Sequence, residues 1–166
     1  MTFARYIKSK IEIKTISECY LETDGIFAQY NYDRFKKWKS LYKESERDVL
    51  NMRLSPHYEF LKVYEKTNGI MDFSKYRYYK MHILYGKNRK WINNKIKNFI
   101  SLYRHVKEGN CVDLPIILTS PISKNPYNSS YEIYEGHHRV AIYLFLGRDK
   151  IRVNLSEWRI KIESGV

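Results

Sequence analysis

Cysteine is scarce in this chain. The two present, Cys19 and Cys111, lie far apart, and neither belongs to a C-x-x-C pair. That excludes a zinc knuckle and a dithiol redox motif, and a reduced intracellular protein is the expectation. Long apolar runs are also missing. None approaches the roughly 20 residues that a membrane span needs, and the opening residues MTFARYIKSK lack the apolar segment of a signal peptide. The expectation is therefore a cytoplasmic protein with no membrane span. No Gly/Ser linker separates independent domains and no short repeat stands out. Acidic residues are the minority, 18 against 30 Lys and Arg, for a net charge of +12. Such a surplus suits a polyanion: nucleic acid, a nucleotide or an anionic surface. The basic residues are dispersed, however, and the abundance of Lys, Asn, Ile and Tyr also fits the codon bias of an AT-rich genome. Lys-rich solvated faces are the plain alternative.

What is present is enough for one core: 43% of 166 residues are hydrophobic. Residues 10–16, KIEIKTI, alternate as a half-buried strand does. Thr23-Asp24-Gly25 signals a turn, and Asp33 can cap a helix bearing Phe35, Trp38, Leu41 and Tyr42 on one face. Ser55-Pro56-His57-Tyr58-Glu59 is a strong helix start, with Ser55 as the N-cap and Pro56 in the first position. Asn68-Gly69 ends that helix. A further helix capped by Asp72 or Ser74 turns Tyr76, Tyr79, Ile83 and Leu84 inward and closes at Gly86. Residues 89–108 give the clearest helix, with Trp91, Ile92, Ile96, Phe99, Ile100, Tyr103 and Val106 along one face. Leu114 to Thr119 is a short buried strand. Ser120 to Ser130 is a loop with a hairpin tip at Asn128-Ser129-Ser130. The tail, Trp158 to Ile162, alternates as an added edge strand would.

One stretch concentrates the chemistry. Tyr131 to Asn154 reads as strand, tight turn, helix, turn, strand. Gly136, His137, His138 and Arg139 sit where the first strand meets the helix. Glycine there admits close approach of a ligand to the backbone. The first-turn N–H groups and the positive end of the helix dipole suit an anion, and two imidazoles and a guanidinium add donors.

The order of a strand Pro115-Ile116-Ile117-Leu118, a hairpin, and Y-E-G-H-H-R-V-A-I-x-x-x-x-L-G-x-x-x-I-x-V from Tyr134 to Val153 resembles the ParB/sulfiredoxin-like family. There the turn usually reads D-G-H-H-R. The likeness covers about the last third of the chain, with Ile11–Ile16 as the family's first strand. It implies an α+β fold: a small mixed sheet with helices and a helical N-terminal elaboration. The single domain, 1–166, would divide into a first-strand region at 1–19, a helical insertion at 20–88 and a family core at 89–157. Family members include CTP- and DNA-binding partitioning proteins, ATP-using sulfiredoxins and free-serine kinases. Sulfiredoxins carry a cysteine in the turn, where this chain has His137 or His138. The kinase-type members are nearest in motif, with Glu135 in place of aspartate.

The resemblance implies a nucleotide-binding phosphotransferase that uses ATP or another nucleotide with Mg²⁺ and acts on a hydroxyl of a small molecule or sugar. Phosphoryl transfer needs donors around the phosphates, a divalent metal and a base near the acceptor. Gly136, His137, His138 and Arg139 would hold the phosphates, with Ser55 reaching them from the inserted helix. Glu135 would hold Mg²⁺ or take a proton. His138 and His57 are the other expected catalytic groups, since His57 lies at a positive helix end. The plainer alternatives are an Arg139–Glu135 ion pair, one packed histidine, and an exposed His57. The competing function is a ParB-like nucleic-acid-binding module, with nuclease activity as an extension, that uses the basic surface.

Overall fold

The computed structural model describes residues 11–22, 36–43, 51–120, 122 and 131–161. The expectations at Thr23–Gly25, Asp33, Phe35 and the hairpin tip at 128–130 lie outside these residues. The architecture is α+β, as the pattern implies. Strands β1 (Ile11–Glu22), β2 (Ile116–Leu118), β3 (Glu132–Glu135) and β4 (Lys150–Ile160) form one mixed sheet in the order β1-β4-β2-β3. β1 pairs antiparallel with β4, β2 parallel with β4, and β3 antiparallel with β2. Among the helices that accompany it are α1 (Pro56–Lys66), α2 (Arg77–Leu84), α3 (Arg89–Lys107) and α4 (His137–Phe145).

Two strand expectations change. β1 runs on to Glu22, well past the alternating KIEIKTI segment. The tail is not an added edge strand: Trp158 to Ile160 continues β4, and Ile160 faces Ile11 of β1. One long strand explains both alternating segments, because nothing between Asn154 and Trp158 breaks the extended backbone. β4 lies between β1 and β2, and its buried Ile151 and Val153 meet the core.

The helices form where their signals stand. Ser55 Oγ accepts the Tyr58 N–H at 3.1 Å, and Pro56 occupies the first position of α1. Asn88 Oδ1 caps α3 by accepting from the Trp91 N–H at 2.9 Å. α4 packs against α1 and α3, and its Val140, Ala141, Ile142 and Leu144 join Ile117, Ile133, Ile151 and Val153 of the sheet. Arg104 donates to the Tyr64 hydroxyl and Lys107 to the Glu65 carboxylate, which ties α3 to α1.

α2 departs from expectation. Its buried residues are Tyr78, Met81 and His82, while Ile83 and Leu84 are about half exposed. The expected face was one position out of phase. Tyr78, Met81 and His82 have the i, i+3, i+4 spacing of a buried stripe, but it contains a histidine, and the apolar pair Ile83-Leu84 masks it in the sequence. Trp91 is likewise only partly covered, at 39% exposure.

Candidate functional site

Glu135 ends β3, Gly136 is the N-cap of α4, and the helix starts at His137. Gly136 has a φ of +94°, and a Cβ built there would lie 2.8 Å from Pro115 Cβ and 2.9 Å from Pro115 Cα. The glycine is therefore required by the close pass of the β2 entry, a packing reason that the sequence did not reveal. Arg139 has a similar duty. Its Nη1 donates to the carbonyl oxygens of Asp113 and Leu114, which clamps the same entry to the turn. Among the described residues no ion pair joins Arg139 to Glu135, and Glu135 is exposed.

The two well-marked helix starts differ. α1 has its Ser55 cap and Glu59 in its first turn. α4 has no capping side chain and no acid in its first turn; it has His137, His138 and Arg139 there instead. The fold brings the two starts together. The His57 ring, second in α1, lies 4.7 Å from that of His138 and 6.2 Å from that of His137, centroid to centroid. His57 and His137 are buried, and His138 keeps partial exposure. An exposed His57 is thus ruled out. Ser55, expected at the phosphates, is fully buried and serves α1 as its cap.

The walls of this cluster come from α2 and α3. The Tyr78 hydroxyl lies 2.6 Å from His138 Nε2, and Phe99 stands edge-on to His138 at 4.5 Å. Tyr78 also meets the rings of His57 at 4.9 Å and His82 at 4.8 Å. Burial lowers the pKa of His57 well below the usual imidazole value, helped by His138, His137, His82 and Lys95. Burial does the same to His138, followed by the charge of Lys95 and by His137, His82 and Arg139. It brings His82 down to about 4, with Lys95 and Lys87 adding to the effect. Desolvation raises the Tyr78 phenol. His57, His82 and His138 are therefore held neutral, with Lys95 beside them.

Tyr78 and Lys95 were missed in the sequence. Lys95 lies on the half-covered flank of α3, and its charge acts on His57, His82 and His138 alike. Nothing in its spacing separates it from the other lysines of that helix. Among the described residues no group of three His, Cys, Asp or Glu side chains is placed to hold a metal ion. Mg²⁺ favours oxygen donors and is commonly held by substrate phosphates with one or two carboxylates. The exposed Glu135 is one carboxylate of that kind. Among the described residues no helix is long and apolar enough to cross a membrane. Comparison with family models, curated proteins and solved structures gave no match.

Proposed function

We propose that this chain is a ParB/sulfiredoxin-like, nucleotide-binding phosphotransferase that acts on a hydroxyl of a small molecule or sugar. The observation that carries the reading is the meeting of the two helix starts. The uncapped first turn of α4, with His137 and His138, stands against His57 at the start of α1. Two positive dipole ends and several neutral imidazole donors suit a phosphate group. Lys95 supplies a full positive charge beside them. In this reading the first turn of α4 binds the phosphates and Arg139 holds the turn in place. His57 accepts a proton from the acceptor hydroxyl: a neutral imidazole has the lone pair that a base needs. A magnesium ion carried by the nucleotide would neutralise phosphate charge, with Glu135 as its carboxylate ligand. The test is a thermal-shift screen of ATP, ADP and CTP at millimolar concentration, with and without Mg²⁺, on wild type, His57→Ala and His138→Ala. A Mg²⁺-dependent rise in Tm that both variants lose supports the proposal. No shift with any nucleotide ends it.

A second reading, nucleic-acid binding, draws on α3. From Arg89 to Lys107 that helix has no acidic residue, and Arg89, Lys90, Lys97, Arg104 and Lys107 are exposed. This reading requires affinity for DNA or RNA that falls steeply with salt. Salt-insensitive or undetectable binding removes it.

A further inference from the structure

Tyr78 is fully buried, and its hydroxyl has one hydrogen-bond partner among the described residues, His138 Nε2 at 2.6 Å. Two proton arrangements give that distance. Either the phenol donates to a bare Nε2, or a protonated Nε2 donates to the phenol oxygen. The second leaves the phenol proton in the core without an acceptor, a costly state for a buried donor. The first satisfies both groups. A neutral imidazole has one N–H and one lone pair, so a bare Nε2 requires the proton on Nδ1.

We propose that Tyr78 is a positioning residue that fixes His138 as a neutral Nδ1–H donor facing the bound anion, and so removes His138 from the role of general base. Tyr78 closes the buried side of the ring. Nδ1 diverges from the Nε2–phenol bond, and the residue that carries it is partly exposed in the first turn of α4. With its Nε2 lone pair taken by the Tyr78 hydroxyl, His138 has no free site for a proton, while its Nδ1–H can donate to negative charge. The groups that face it agree: His57 on α1, Tyr78 and His82 on α2, Lys95 on α3, and His137 and Arg139 beside it. None is an anion that would stabilise an imidazolium. The role as phosphate donor rests on the nucleotide-binding reading; the tautomer does not.

Long-range ¹H–¹⁵N spectra of the histidine side chains in the full chain test this without any nucleotide. His138 is expected as the Nδ1–H form and is expected to stay neutral from pH 8 to pH 5. Tyr78→Phe keeps the ring packing and removes the hydroxyl. It is expected to abolish the tautomer preference and to move the His138 titration upward. An Nε2–H signal in the wild type overturns the proposal, as does an unchanged His138 in Tyr78→Phe. Should that variant not fold, the wild-type spectrum alone decides. Inorganic phosphate is then added to the wild type. A correct tautomer with no response at His138 overturns the nucleotide-binding reading and leaves the tautomer assignment standing.

Discussion

Replacing Gly136 by alanine tests the turn on which the site is built. Two costs combine. A non-glycine residue at φ +94° stores about 1–3 kcal/mol of backbone strain. The added methyl would also stand 2.8 Å from Pro115 Cβ and 2.9 Å from its Cα. One of those atoms is backbone, so the β2 entry must move, and it is held by the Arg139 bonds to Asp113 and Leu114. Overpacking of this kind costs about 1–3 kcal/mol. The sum is about 2–6 kcal/mol. Gly147 gives the control: its φ is +71°, and a Cβ there meets nothing within 4 Å. Gly147→Ala carries the strain alone. For a chain of this size 1 kcal/mol moves Tm by roughly 2–4 °C. Thermal unfolding followed by circular dichroism should therefore show Gly136→Ala lower in Tm than Gly147→Ala by at least about 2–4 °C. Equal losses in the two variants would refute the Pro115 contact as the reason for glycine at 136.

His57, His82 and His138 bind protons less readily folded than unfolded, where their pKa is near 6.5. The unfolded chain therefore gains protons first as pH falls, and stability present above 6.5 is lost toward pH 4. For His82, held at about 4, the full loss is about 3 kcal/mol. Urea unfolding at pH 7.5 and pH 5 should show the drop, and His82→Phe should lessen it; a pH-independent midpoint would contradict the buried neutral imidazoles. Ser55→Ala should cost about 1 kcal/mol by removing the α1 cap, and Ser55→Asp should restore it. A Ser55→Ala variant with unchanged Tm and lost nucleotide binding would return Ser55 to the phosphates.

The sequence is most legible where local chemistry decides. Ser55-Pro56 announces α1, Gly136 marks the turn into α4, and the apolar spacing from Ile92 to Val106 traces α3. It is least legible where a polar residue belongs to the core. His82 interrupts the buried stripe of α2, so Ile83 and Leu84 read as inward although they are half exposed. The same ambiguity hid Tyr78, one aromatic among several in Tyr76 to Tyr79. The pairing of His57 with His138 joins positions 81 residues apart; its chemistry was visible in advance and its geometry was not. Gly136 and Arg139 suit an anion by residue type, and the structure adds a packing duty to each. The close pass of Pro115 and the carbonyls of Asp113 and Leu114, which occupy them, leave no trace in the local pattern.

In the proposed function the starts of α1 and α4 form one phosphate-holding site. Titration of ATP with Mg²⁺ into ¹⁵N-histidine-labelled protein tests it most directly. The side-chain signals of His57, His137 and His138 should shift together with one saturation curve, while His105, exposed on α3, should not move. Saturation with all three signals unmoved, or shifts confined to His105, would contradict it.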